Sequence, residues 1–130
     1  MIRIAVMAAL GVLAGSVGAA PRWDFDVRID AAKETLELRG CTDQFVAELR
    51  LRAGDAADAH LRSIRRDEGI PLEAVEGTVH ASAWQAGECY VARIDLRSAG
   101  NADRWGLGRA QDRYYRLSPS LWFWRPRQID

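Results

Sequence analysis

Residues 23–30 read Trp23-Asp24-Phe25-Asp26-Val27-Arg28-Ile29-Asp30 and alternate strictly between apolar and charged side chains. Successive side chains of a β-strand point to opposite faces of its sheet. This period of two therefore predicts a strand with one apolar face and one solvated face. It is the clearest secondary-structure signal in the chain, and it favours a β fold.

Two segments downstream repeat this pattern. Residues 35–39 alternate again and end at the turn residues 40–43. Residues 45–52 then alternate between apolar and charged side chains. Three strands separated by short turns are typical of an antiparallel meander.

Two further strands are predicted in the second half of the chain. Residues 78–84 and 89–96 have strand composition, and the four residues 85–88 between them form a turn signal. This spacing predicts a hairpin. About six strands with little helix indicate an all-β, antiparallel β-sandwich-like domain with at most one short helix.

Two segments have no clear strand pattern. Within residues 55–67 the apolar positions are spaced four and three apart, which is compatible with a short helix. An irregular strand-and-loop connection fits the same residues nearly as well. Residues 98–113 are rich in Gly, Asp and Arg without a sustained period, and we interpret them as a long loop.

The N-terminus has the pattern of a secretory signal peptide. Arg3 supplies a positive charge, residues 4–14 form an uncharged apolar run, and small residues follow. Cleavage after Ala19 fits the small-residue rule, which predicts a signal peptide over 1–19 and a single mature domain over 20–130. The alternative is an uncleaved N-terminal anchor, and only then would the chain be held at a membrane. Export predicts a periplasmic or secreted protein.

Export also allows the cysteines to be interpreted. Cys41 and Cys89 are the only two in the chain. An even number in an oxidising compartment predicts one disulfide between them. Two buried free thiols are the alternative.

The charge balance argues against several classes of binding protein. The 130 residues include 18 basic and 18 acidic side chains, which give a formal charge of zero. A protein that binds nucleic acid or an anionic membrane needs a basic surface, and this chain has no excess of basic residues. An apolar fraction of 48% also argues against intrinsic disorder.

The sequence predicts no catalytic residue, cofactor or metal site. His60 and His80 lack the His-Glu-x-x-His arrangement, and two histidines with two distant cysteines do not supply a set of metal ligands. His60 lies on a polar segment and is expected to face solvent. No serine occupies a Gly-x-Ser-x-Gly turn that would expose it as a nucleophile.

The aromatic segment near the C-terminus is the candidate interaction surface, formed by Tyr114, Tyr115, Trp122 and Trp124. A strand there would place Trp122 and Trp124 on one side, where their rings could stack on sugars. This gives the alternative function of a carbohydrate-binding module. The other interpretation is a core or interface strand, with the tryptophans packed beneath a neighbouring element.

The order of these elements resembles the N-terminal β-domain of the glycyl-aminopeptidase-type zinc metallopeptidases. Those enzymes combine such a domain with a thermolysin-like catalytic domain and often with a PDZ domain. The stretches that carry the resemblance are residues 23–29, 57–72, 88–96 and 117–121.

The chain departs from this family in two segments. The Trp-x-Pro-Gly-Ser-Tyr segment is not present after the third predicted strand, and the zinc motif His-Glu-x-x-His is absent. No catalytic residue is therefore carried over. The resemblance implies an exported, non-catalytic accessory or interaction domain whose partner is a catalytic domain or another envelope protein.

Overall fold

The computed structural model describes residues 20–102, 109–110, 114–115 and 117–127, and their side chains over 20–102 and 117–127. Strands dominate these residues, which confirms the predicted all-β fold. The elements in chain order are β1 (Trp23–Asp30), β2 (Thr35–Thr42), β3 (Val46–Arg52), a 3₁₀ helix (Ala57–His60), β4 (Leu61–Arg66), β5 (Ala74–Val75), β6 (Thr78–Trp84), β7 (Cys89–Asp95), α1 (Leu96–Ala102), β8 (Arg109–Ala110), β9 (Tyr114–Tyr115), a second 3₁₀ helix (Pro119–Leu121) and β10 (Arg125–Pro126).

The strands form two four-stranded antiparallel sheets that share one core. Sheet A has the order β1-β2-β7-β4, and sheet B has the order β10-β3-β6-β5, while β8 and β9 form a separate pair. Both large sheets contribute to a single hydrophobic cluster. Its most deeply buried members include Leu38, Tyr90 and Ile94 from sheet A and Leu51, Val79 and Trp84 from sheet B.

The strand pairing differs from the predicted meander and hairpin. β1 pairs with β2 as expected, but β3 lies in sheet B and pairs with β6. β6 and β7 have nearly the predicted bounds, yet they lie in different sheets. The short connections 43–45 and 85–88 carry the chain from one sheet to the other, across the core. Because alternation shows which face of a strand is apolar but not which strand lies beside it, the sequence could not reveal this.

The predicted loop at 98–113 is wrong at its start, where α1 covers Leu96–Ala102. The Asp95 carboxylate accepts a hydrogen bond from the Ser98 main-chain N–H at 3.0 Å, which satisfies a free donor of the first helical turn. Leu96 and Ala99, three residues apart, are fully buried. Gly100 is the other buried residue of the helix, and two buried apolar side chains are too few to show a helical period in the sequence. The 55–67 segment follows the strand-and-loop interpretation, with a 3₁₀ helix before β4.

Residues 121–124 do not form the strand that would have placed Trp122 and Trp124 on one side. Pro119 begins a 3₁₀ helix, and its carbonyl accepts hydrogen bonds from the N–H groups of Trp122 (3.2 Å) and Phe123 (2.7 Å). Only Arg125 and Pro126 then pair with β3. A proline at the first helical position favours this turn because its φ is already fixed near the helical value.

The predicted signal peptide over 1–19 lies outside the described residues. Within the described part of the chain, no helix is long and apolar enough to cross a membrane.

Candidate functional site

The disulfide between Cys41 and Cys89 is present, as predicted. The two cysteines lie directly opposite each other on the two central strands of sheet A, as the last pair of the β2·β7 ladder. The Thr42 N–H also donates to the Glu88 carbonyl at 3.2 Å. The disulfide therefore joins two strands that are distant in sequence. It stabilises the fold, and neither cysteine is a reactive thiol.

A largely buried ion pair lies beside this disulfide. The Arg66 guanidinium contacts the Glu88 carboxylate through Nε–Oε1 (2.5 Å) and Nη2–Oε2 (2.8 Å), and it lies 4.6 Å above the Trp84 ring. Arg66 also donates to the carbonyls of Ser82 and Ala83. The hydrogen bond from Arg66 lowers the pKa of the Glu88 carboxyl below its usual range. These contacts tie β4 to the connection between β6 and β7, so they are structural.

His60 does not face solvent as expected, since it is only 6% exposed. Its Nδ1 lies 2.7 Å from the Ser98 hydroxyl, because the 3₁₀ helix at 57–60 packs against α1. A serine beside a histidine is one half of a nucleophilic site, in which a third group orients the base. The nearby Asp95 carboxylate instead accepts the Ser98 N–H and pairs with Arg62 (3.4 Å). The histidine–serine contact therefore fastens two helical segments together.

No metal centre is found among the described residues, because no group of three or more His, Cys, Asp or Glu side chains is placed to hold an ion.

The structure places the predicted aromatic surface in different environments. Trp124 is fully buried, and its Nε1 has no hydrogen-bond partner within the described part of the protein. Trp122 is half-buried and packs on Phe123, with ring centroids 5.4 Å apart. The side chains of Tyr114 and Tyr115 lie outside the described residues. Trp124 therefore belongs to the core and offers no face on which a sugar could stack.

The apolar side of β1 is exposed, although the sequence predicted a buried face. Trp23 is half-buried and packs against Trp84 and Tyr90, with ring centroids 6.4 and 5.9 Å away. The next three apolar residues of the strand are much more open: Phe25 is 41%, Val27 44% and Ile29 56% exposed.

The position of β1 in the sheet explains this exposure. Phe25, Val27 and Ile29 pair with Gly40, Leu38 and Leu36 of β2, which are buried. The row therefore lies on the core side of sheet A, but β1 is the outermost strand of that sheet. The Phe123 ring contacts Phe25 at 5.1 Å between centroids. Val27 and Ile29 lie farther along the strand and remain open to solvent.

Within the described part of the chain, the backbone of β1 also has N–H and C=O groups that no other strand pairs. The Asp43 N–H donates to the Arg22 carbonyl at 3.1 Å, which shows that the even-numbered residues bond toward β2. Because antiparallel ladders alternate, the N–H and C=O groups of residues 23, 25, 27 and 29 point away from the sheet. We call these groups, together with the side chains of Phe25, Val27 and Ile29, the β1 edge.

The other outer strands of the two large sheets are shorter or covered. β5 and β10 have two residues each, whereas β1 has eight. The outer side of β4 is covered by residues 70–72, since the Arg66 N–H donates to the Ile70 carbonyl and the Leu72 N–H donates to the Ile64 carbonyl. Among the described strands of these sheets, β1 is therefore the long open edge.

Comparison with known proteins found no matching family model, no matching curated protein and no matching solved structure. The resemblance to the metallopeptidase N-terminal domain therefore stays a prediction.

Proposed function

We propose that this chain is an exported, non-catalytic interaction domain that binds another polypeptide along the β1 edge. The observation that carries the proposal is the coincidence of a row of exposed apolar side chains with a long strand edge that no other described strand pairs. Each feature alone is common on protein surfaces. Together they offer an added strand both backbone groups to hydrogen-bond and apolar side chains to cover.

An added strand would satisfy the two kinds of open group on β1. Its backbone would pair with the outward N–H and C=O groups of residues 23, 25, 27 and 29, as in β-strand addition. Its side chains would cover Phe25, Val27 and Ile29, which are 41–56% exposed. Natural proteins usually protect long edge strands with charges, bulges or covering loops, because open edges promote aggregation. The charges of β1 lie on its other face, so they do not cover Phe25, Val27 and Ile29. Among the described residues, only the Phe123 ring contact partly covers this row. A partner explains the open row best.

The location proposed for this interaction is the periplasm or the extracellular space. The leader-like residues 1–19 and the disulfide between Cys41 and Cys89 support it, because structural disulfides persist in oxidising compartments. The resemblance suggests a catalytic domain or an envelope protein as the partner class.

The experiment is site-specific photo-cross-linking in the cells that make the protein. A photoreactive amino acid replaces Val27 in the full chain, which is exported with its own leader. The matched control replaces Val75 of β5, a valine that is 58% exposed on sheet B against 44% for Val27. We expect a polypeptide adduct from position 27 and little from position 75. Equal yields at the two positions, or no adduct at 27, would overturn the proposal.

A further inference from the structure

We infer that the polypeptide on the β1 edge is a second copy of this chain, with the two β1 strands antiparallel about a twofold axis at Asp26. The inference rests on the proposed function, and it adds the identity and the register of the partner. Three properties of β1 lead to it: its backbone alternation, its charges and its apolar row.

The backbone alternation limits the registers that two copies can adopt. Side chains that lie opposite each other in an antiparallel pair share a face of the sheet. Odd-numbered residues of β1 therefore face odd-numbered residues of the second copy, and these are the residues whose N–H and C=O groups are free. The twofold axis must then pass through one residue of the strand, which faces its own counterpart.

The charges of β1 select the position of that axis. With the axis at Asp26, Asp24 faces Arg28 of the second copy and Arg22 faces Asp30. Symmetry repeats both contacts, which gives four pairs of opposite charge. One pair of like charge remains, between the two Asp26 carboxylates. Each of these already accepts a hydrogen bond from its own Arg28 at 3.0 Å, so the charge at the axis is partly neutralised.

Axes at neighbouring residues bring fewer opposite charges together. An axis at Val27 would pair Asp26 with Arg28 but would also place Asp24 against Asp30. An axis at Phe25 or at Arg28 would place like charges opposite each other at each charged pair of the strand, and like charges opposite each other destabilise a sheet.

The same register brings the apolar residues of the two β1 strands together. Phe25 faces Val27 of the second copy, and Trp23 faces Ile29. Each pair combines an aromatic ring with a β-branched side chain, a cross-strand combination that stabilises antiparallel sheets. The two copies of sheet A would form one continuous sheet of eight strands, four from each copy.

The register is tested by a cysteine at the axis. In this arrangement Asp26 and its counterpart form a non-hydrogen-bonded pair, whose Cα atoms lie about 4.5 Å apart. That separation is within the range of a disulfide. Asp26→Cys is therefore expected to give a covalent dimer on a non-reducing gel. Asp30→Cys is the matched control, because it removes the same charge from the same face but faces Arg22 of the second copy. Asp24 is unsuitable, since it lies opposite Cys41 of the native disulfide.

The charge pairing is tested by reversal. Arg28→Asp would place a carboxylate opposite Asp24 at two points, and we expect it to raise the dimer dissociation constant at least tenfold in sedimentation equilibrium. The double variant Asp24→Arg with Arg28→Asp restores opposite charges, and its dissociation constant should return to near that of the unaltered protein.

Three outcomes would overturn the second-copy inference. The protein could sediment as a monomer while position 27 cross-links to a different polypeptide, in which case the proposed function survives. It could be a dimer in which Val27→Cys cross-links and Asp26→Cys does not, which would place the axis elsewhere. A dimer unaffected by Arg28→Asp would be assembled through another surface. Absence of any adduct at position 27 would overturn the proposed function as well.

Discussion

The hydroxyl of Tyr90 donates a hydrogen bond to the main-chain carbonyl of Trp124. Both residues are fully buried, and the contact joins the centre of sheet A to the C-terminal segment. Burial raises the pKa of the Tyr90 hydroxyl well above its ordinary range. The C-terminal aromatic residues are thus held in the core by a specific bond as well as by packing.

Tyr90→Phe should lower the free energy of unfolding by about 1–3 kcal/mol, because the Trp124 carbonyl would remain buried without its donor. The difference should depend on pH. Since the pKa of Tyr90 is higher in the folded state than its ordinary value of about 10, stability is lost as the pH rises above that value. The variant lacks this group, so the difference between the two proteins should shrink above about pH 10. Urea denaturation at several pH values measures the free energy of unfolding of both proteins. A difference that stays constant above about pH 10 would contradict the predicted pH dependence.

Gly40→Ala should destabilise the protein by about 1–3 kcal/mol, the usual cost of overpacking a core. A Cβ at Gly40 would lie 2.5 Å from Cε1 and 2.7 Å from Cζ of the Tyr90 ring. The ring cannot move away without losing the bond to Trp124. The same substitution in a Tyr90→Leu background should cost much less, and equal costs in the two backgrounds would show that the ring is not the cause.

Replacing both Cys41 and Cys89 by alanine should lower the free energy of unfolding by roughly 4 kcal/mol in the chain-entropy model. The two residues are 48 positions apart, so the bond closes a long loop in the unfolded chain. For the unaltered protein, mass spectrometry without reductant should show a peptide that links Cys41 to Cys89. Its mass should be lower by two hydrogen atoms than that of the reduced chain. Equal urea midpoints with and without reductant would contradict the prediction.

The strands could be predicted from the sequence because their signals are local. Alternation located β1 within its observed bounds, and the bounds of β6 agree as well. The partners of these strands could not be predicted. A short connection can join two strands of one sheet as a hairpin, or it can lead from one sheet to the other. The environment of His60 was missed for a related reason: its burial depends on α1, which begins more than thirty residues later in the chain.

The candidate site was missed because it depends on position in the sheet. The alternation in residues 23–30 shows that Phe25, Val27 and Ile29 share a face, but not whether a second layer covers that face. Coverage ends at the edge of a sandwich, and the order β1-β2-β7-β4 places this strand at the edge. Of the four aromatic residues singled out in the sequence, Trp124 is enclosed by the core, which agrees with the core-strand interpretation for that residue.

Glu88→Gln should destabilise the protein at neutral pH by about 1–3 kcal/mol, because the variant loses the charge that Arg66 contacts through two hydrogen bonds. Both side chains are more than four-fifths buried. Since Arg66 lowers the pKa of Glu88 in the folded state, the pair stabilises the protein above the ordinary carboxyl pKa of about 4.3. This contribution is lost as the pH falls below that value, so the free energies of unfolding of the two proteins should converge in urea denaturation at acid pH.

Glu37→Gln is the matched control: its 3.2 Å pair with Arg93 is more exposed, and its loss should cost less than about 1 kcal/mol. If Glu37→Gln cost as much as Glu88→Gln, or if the effect of Glu88→Gln persisted in acid, the buried pair would not be the source of the stability.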